Sequence, residues 1–295
     1  MKEKSNKATS LSAANGGTLS LRGELTVNRL GFGAMRLTGD GIWGPPKDRA
    51  AAIAVLRRAV ELGVNFIDTA DSYGPNVSEE LIAEALSPYP ADLVIATKGG
   101  WNRPGPNQWT HDASPAHLRQ AVEGSLKRLR LDRIDVYQLH VPDPMIPLDA
   151  SMETLANMQS EGKIRLVALS NVTVEHIERA RKIVPIVSVQ NRYSFADREW
   201  DYVVDYCERN GIAFIPWFPL GAGTVAGRLL ERIAKARHMK PIQVALAWLL
   251  ERSTVMLPIP GTSSIAHLEE NVQAASLQLA EEEYLELNGV ATLVS

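Results

Sequence analysis

Four polar residues close three short apolar runs. Asp68 and Tyr73 follow the run in NFIDTADSYG (residues 65–74), Lys98 ends LVIATKG (93–99), and His140 ends IDVYQLH (134–140). Reducing a carbonyl takes a hydride and a proton. A tyrosine can supply the proton, but its unperturbed pKa of about 10 is high for ready donation. A nearby ammonium favours the phenolate and lowers that pKa. Lys98 is the candidate ammonium, and Asp68 would hold it charged and oriented. His140 would hydrogen-bond the carbonyl oxygen or relay the proton.

Each residue alone has a plainer reading. Asp68 can cap a turn, and Asp71, three residues on, suits a loop cap. Tyr73 before Gly74 can be a half-buried loop aromatic, and His140 a satisfied core histidine. Lys98 is harder to dismiss, because a lysine rarely ends a buried strand without a partner. Four such residues on one rim would be a catalytic arrangement, since barrel enzymes work at the C-terminal ends of their strands.

The surrounding pattern supplies such a rim. From Leu30 onward, β-like runs alternate with helical ones, giving eight strand–helix units. LGFGAM (30–35) leads to a helical pattern that Gly63 closes as a C-cap. NFIDTA leads to SEELIAEAL, with Ser78 as N-cap. LVIATK leads through a Gly/Pro/Trp-rich loop to a helix capped by Ser114, with Pro115 in its first turn. Alternating strands and helices imply a parallel sheet, and eight units imply a closed barrel. GFGAMR (31–36) lacks the third glycine of a dinucleotide-binding turn, which argues against an open doubly wound sheet. TLSLRGELTV (18–27) reads as a hairpin turning at Arg22–Gly23 that could plug the barrel's N-terminal end. The expected fold is a (β/α)8 TIM barrel with an N-terminal β-hairpin and extra C-terminal helices. Residues 1–17 read as a disordered tail and 18–295 as one domain.

Composition narrows the class. The 295 residues suit one barrel, and 45% hydrophobic content is enough for a large core. A formal charge of −3 argues against nucleic acid as the main partner. The single cysteine, Cys207, allows no internal disulfide and lies in a helical pattern as a packing residue. The six histidines are scattered, without metal-ligand spacing. No run suits a membrane span, and the start has no signal-peptide core, so a soluble cytoplasmic protein is expected.

At these motifs the chain resembles the aldo-keto reductase family. FIDTADSYG, ATKGG, YQLH, ALSN, SVQNRYS, the FPL of FIPWFPLG, PIQVALAWLL and IPGTSSIAHLEEN are similar to its segments, in its order. The resemblance implies NADPH as hydride donor, aldehydes or ketones as substrates, and a tetrad of Asp68, Tyr73, Lys98 and His140. It places the nicotinamide carboxamide on Ser170, Asn171 and Gln190 and the ring against Trp217, with Pro219, Leu220 and Gly221 beside it. Gly261, Thr262, Ser263, His267, Glu270 and Asn271 fall at the adenosine end. Many members carry a lysine at the Gly261 position and an arginine at the His267 position, both aimed at the 2′-phosphate. Their absence weakens selection against NADH. Arg228 and Arg237 are further candidate cations.

Rim loops should set the substrate. Trp43, Trp101 and Trp109 are candidates for an aromatic wall, although packing of its own loop suits Trp109 better. The short loop after Leu220 suggests an open pocket. The overall pattern is similar to bacterial members assigned pyridoxal reduction. Two rival classes stand beside the reductase: a Schiff-base lyase using Lys98, and a cofactor-binding sensor or channel-type subunit with little turnover. The sequence leaves the oligomeric state open.

Overall fold

The computed structural model describes residues 11–220 and 228–292. Its strands, in chain order, are β1 (Thr18–Leu21), β2 (Leu25–Asn28), β3 (Phe32–Gly33), β4 (Phe66–Asp68), β5 (Val94–Gly99), β6 (Trp101–Gly105), β7 (Gln108–His111), β8 (Ile134–Leu139), β9 (Ile164–Ser170), β10 (Ile186–Arg192) and β11 (Ala213–Trp217). Seven of them, β3, β4, β5, β8, β9, β10 and β11, form one sheet in which every neighbour is parallel.

An eighth segment closes the ring. Phe214 bridges Met256, and the Leu257 N–H donates to the Phe214 carbonyl at 2.8 Å. On the other side, the Gly31 N–H donates to the Pro258 carbonyl at 2.9 Å. Proline offers no N–H to a ladder, so residues 255–258 seal the barrel with isolated bonds rather than a regular strand. The expected (β/α)8 barrel is the architecture found, and its neighbours in space follow chain order.

Side-chain alternation divides the core. Phe66, Val94, Ala96, Val136, Leu166, Ala168, Ala213 and Ile215 fill the barrel interior, where Leu21 and Val27 join them. Those two come from the β1–β2 hairpin, so the hairpin does plug the N-terminal end. Its turn places Arg22 and Gly23 at positive φ. The opposite faces of the strands carry Ile67, Ile95, Tyr137 and Leu169, which pack against the helices.

The helices are α1 (Arg49–Glu61), α2 (Val77–Leu86), α3 (Pro115–Leu129), α4 (Leu148–Ser160), α5 (Val174–Arg181), α6 (Asp201–Asn210), α7 (Arg228–Ala236), α8 (Pro241–Arg252), α9 (Ile265–Gln273) and α10 (Glu281–Thr292). Ser114 caps α3, accepting from the His117 N–H at 3.3 Å, with Pro115 in the first turn. Gly63, at φ +79°, turns the chain out of α1. Two helices, α7 and α8, follow β11 where the barrel repeat needs one, and α10 follows α9, so two of these ten helices among the described residues are additions to the barrel's eight. Trp248 of α8 is buried, and its Nε1 donates to Asn288 of α10 at 3.0 Å. Cys207 lies buried in α6, and burial pushes its thiol up to about 12, so it is a packing group. Among the described residues no helix is long and apolar enough to cross a membrane.

Three local expectations are corrected. The tail does not run to Gly17: residues 13–16 form a 3-10 turn capped by Ser12, Ala13 is buried, and its N–H donates to the Leu62 carbonyl at 2.8 Å. Ser78 is not an N-cap, because α2 starts after Asn76 and the Ser78 hydroxyl accepts from buried Thr69 at 2.8 Å. The Gly/Pro/Trp-rich loop after Lys98 is largely the antiparallel hairpin β6–β7.

Candidate active site

Strand parity brings the candidates together. Asp68 continues the inward set begun by Phe66, and Lys98 continues Val94 and Ala96. His140, one residue past β8, continues Val136 and Gln138, and Ser170 continues Leu166 and Ala168. A register shift between Ile186 and Val189 lets Val187 and Gln190 of β10 serve the same interior. Trp217 ends β11 in the same phase as Ala213 and Ile215.

Lys98 is fully buried, and its ammonium donates three times: to Asp68 Oδ2 at 2.6 Å, to the Thr69 carbonyl at 2.8 Å, and to the Tyr73 hydroxyl at 3.3 Å. That uses every N–H it has. Burial alone disfavours the charge, but Asp68 and then Tyr73 outweigh it, and Lys98 is raised above its ordinary range. Asp68 Oδ1 accepts from Gln138 and Gln190, each at 2.8 Å. Gln138 carries no signal in the sequence beyond a lone amide inside an apolar run, and it was not among the candidates.

Tyr73 departs from the expectation of a lowered pKa. Burial pushes the phenol up, the Lys98 charge opposes this, and Asp68 adds to it. The ground state is therefore a firmly protonated phenol beside an ammonium. Burial first, then Lys98 and Arg103, hold the His140 imidazole well below its ordinary range, so it is neutral. Its Nδ1 lies 3.4 Å from the Ser72 hydroxyl. Asp71 is no simple loop cap. Burial pushes its carboxyl up to about 8, with Glu79 adding and Arg128 and Ser72 opposing, and its Oδ1 has no hydrogen-bond partner among the described residues.

Two of the three candidate tryptophans, Trp101 and Trp109, lie on the β6–β7 hairpin. Tyr73, Trp101 and Trp109 all meet the His140 ring edge to face, at centroid distances of 5.9, 6.3 and 6.5 Å. Trp109 thus flanks His140 as Trp101 does, rather than only packing its loop. Trp43 bridges Gly74 and lies 5.7 Å from the guanidinium of Arg103, a residue outside the sequence candidates.

A second group runs along the rim. Asn171 Nδ2 donates to the His140 carbonyl and to Ser170 Oγ, both at 3.0 Å, while its Oδ1 accepts from Trp217 Nε1 at 3.1 Å. This fixes a half-buried indole beside a row of amide and hydroxyl groups, an arrangement that fits a flat ring bearing a carboxamide. Gln190 is tied to Asp68 through its amide nitrogen. Pro219 is buried and Leu220 half-buried, whereas Gly221 lies outside the described residues.

Beyond the eighth segment, Thr262 Oγ1 accepts from the Ser264 N–H at 3.1 Å, and Ser264 caps α9. Ser263 and His267 are exposed there. Glu270 is ion-paired with Lys240, and Asn271 is buried. A Cβ at Gly261 would run into the Gly33 carbonyl oxygen, so glycine is required for the two backbones to meet. Arg36 Cγ lies 3.5 Å from that same point. Arg237 is committed to Glu283 at 2.6 Å, and Arg228 begins α7.

The Aldo/keto reductase family model matches residues 29–292. The chain is 51% identical over 283 residues to an uncharacterized oxidoreductase of Schizosaccharomyces pombe, covering 95% of this chain and 92% of that one. It is 48% identical over 276 residues to pyridoxine 4-dehydrogenase of Escherichia coli, covering 91% and 96%. An aldo/keto reductase from Klebsiella pneumoniae, solved with NADP and acetate, superposes with a TM-score of 0.78 at 26% identity, covering 93% of this chain and 95% of that one.

Proposed function

The chain belongs to the aldo/keto reductase family, and from that premise we propose that it reduces aldehydes or ketones to alcohols with NADPH, using Tyr73 as the proton donor. The observation that carries this reading is the Lys98 ammonium, which bonds Asp68 on one side and the Tyr73 hydroxyl on the other. When bound, a reduced nicotinamide would supply the hydride for the carbonyl carbon. The protein must then deliver a proton to the oxygen.

Tyr73 holds that proton firmly in the ground state, because burial disfavours a lone phenolate. As the proton leaves, the negative charge grows 3.3 Å from a fixed ammonium. Such preorganised stabilisation acts in the transition state rather than before it. Asp68, accepting from two glutamine amides as well, keeps Lys98 charged and aimed. Neutral His140 presents an imidazole that can hydrogen-bond the carbonyl oxygen without adding a competing positive charge.

The cofactor assignments are part of the same reading. Ser170, Asn171 and Gln190 would hold the carboxamide, and Trp217 would cover the ring with Pro219 and Leu220 beside it; Gly221 continues this segment in sequence. Thr262 and Ser263, ahead of the α9 amides, would receive phosphate. Glu270 and Asn271 would meet the adenine, with Glu270 shared with Lys240. Without a lysine at position 261, preference for the 2′-phosphate rests on His267 and the neighbouring hydroxyls, and NADH is a weaker alternative donor. A planar aromatic aldehyde suits the tryptophan wall, and pyridoxal is the first candidate, supported by the pyridoxine 4-dehydrogenase relative.

The Schiff-base alternative is disfavoured because an amine nucleophile must be neutral. Lys98 is held charged, with its three N–H groups committed. The test is loss of reduced-nicotinamide absorbance with pyridoxal and 4-nitrobenzaldehyde, using NADPH and then NADH. Turnover faster with NADPH is expected. Tight NADPH binding without turnover of any aldehyde would overturn the reductase reading in favour of a cofactor-binding subunit.

A further inference from the structure

Arg103 stands on β6, in the hairpin over the barrel mouth. Its Nη1 donates to the Ser72 carbonyl at 2.8 Å, its Nε to the Gln108 carbonyl at 2.9 Å, and its Nη2 to the Gly41 carbonyl at 3.0 Å. These three acceptors belong to the loop that carries Tyr73, to the hairpin itself, and to the loop that carries Trp43. The guanidinium stacks 3.7 Å from the centroid of Trp109, with Trp43 at 5.7 Å.

No carboxylate among the described residues forms an ion pair with this guanidinium. Other partly buried arginines differ. Arg128 lies 2.6 Å from Glu79, and Arg252 lies 2.7 Å from Asp205. Arg29, which also donates to carbonyls, has the Glu208 charge nearby. The groups within the field of Arg103 are instead Tyr73 and His140. Carbonyls carry only partial charge, and three of five guanidinium N–H groups are used, leaving two. A half-buried cation without a counter-ion is costly unless something else supplies the opposite charge.

We propose that Arg103 is a specificity-determining residue that draws carbonyl substrates bearing an anionic group, a carboxylate or an ionised ring hydroxyl, into the site. The preference is local, because the whole chain carries a formal charge of −3 and repels anions at long range. Trp109 against the guanidinium and Trp43 near it offer flat apolar faces that favour planar substrates. This inference rests on the reductase reading and names the substrate class of that site.

The experiment compares kcat/KM for 4-carboxybenzaldehyde and for neutral benzaldehyde with saturating NADPH, in the wild type, Arg103→Gln and Arg103→Lys. The wild type should favour the carboxylate. Arg103→Gln should lower the ratio of the two values at least about tenfold, or ~1.4 kcal/mol, and Arg103→Lys should restore most of it. An equal loss for both aldehydes makes Arg103 a structural clamp only and overturns the proposal, as does an unchanged ratio. If Arg103→Gln does not fold, inhibition of the wild type decides: benzoate should compete with the aldehyde and benzamide should not, and equal inhibition sinks the idea. If neither aldehyde is reduced, turnover of pyridoxal or 4-nitrobenzaldehyde decides the reductase reading separately. Calorimetric binding of benzoate over benzamide to the NADPH-loaded protein then still decides for or against Arg103.

Discussion

Lys98 Nζ stands 2.6 Å from Asp68 Oδ2, and both side chains are shut away from solvent. A buried ion pair adds little net stability over an apolar pair of similar shape, because desolvation offsets the attraction. Its consequence here is positional. The carboxylate fixes the direction of the ammonium, and the ammonium's remaining hydrogens are left for the Thr69 carbonyl and the Tyr73 hydroxyl.

Breaking that pair from one side should be severe. Asp68→Asn leaves a buried ammonium without its counter-charge, which costs roughly 3–5 kcal/mol. Urea denaturation should show a lower midpoint with an unchanged slope. Adding Lys98→Met should recover part of the loss, since the orphan charge is then gone. A single variant as stable as the wild type would mean that the two charges are not coupled.

Tyr73→Phe removes one hydroxyl and little else. We expect kcat to fall by roughly 10²–10⁴, the usual span for general acid catalysis. NADPH affinity, read by fluorescence titration, should stay within about twofold, because the loss lies in the transition state. Normal turnover by this variant would remove Tyr73 from the proposed acid role.

Asp71 makes stability depend on pH. Its folded pKa of about 8 lies above the unfolded value of about 4. Between those values the folded state retains a proton that the unfolded state has lost. The contribution is therefore fully present below about pH 4 and declines as pH rises through about 8. Asp71→Asn removes the titration, so the variant's stability relative to the wild type should improve from pH 5 to pH 8. The gain is bounded at ~1.4 kcal/mol per pH unit. Chemical unfolding of both proteins at the two pH values checks the sign; a gap that stays constant would place Asp71 in an ordinary, solvated environment.

Gly261 tests whether a cation can be restored by substitution. A Cβ there runs into the Gly33 carbonyl oxygen, which belongs to the backbone and cannot rotate away. Gly261→Ala should cost ~1–3 kcal/mol in thermal or urea unfolding, as overpacking usually does. Gly261→Lys should be no less destabilising and should fail to raise the NADPH-to-NADH preference. Improved selectivity without loss of stability would show that the β3 edge yields.

The three runs that announced the site were legible because a strand repeats every two residues. Phe66 and Asp68, or Ala96 and Lys98, must share a face whatever the rest of the chain does. Capping by Ser114 and the hairpin at Arg22–Gly23 were legible for similarly local reasons. Ser78 was not, because the choice between Asn76 and Ser78 as the entry to α2 depends on the buried hydroxyl of Thr69, nine residues earlier in the chain. The β6–β7 hairpin was hidden by RPGPN, whose prolines and glycine read as loop until Trp101 pairs with His111.

The sequence by itself determined which chemical groups stand at the strand ends and which of them face inward, since both follow from residue type and local periodicity. Tertiary structure alone decided how those groups behave. Closure through residues 255–258 turns a sheet into a rim, and only then do Gln138 and Gln190 reach Asp68 from β8 and β10. Protonation follows the same logic. A phenol raised by burial, a neutral imidazole and an arginine that no carboxylate among the described residues pairs all depend on what the fold places around them. Desolvation and Coulomb energies are set by three-dimensional neighbours, not by neighbours along the chain.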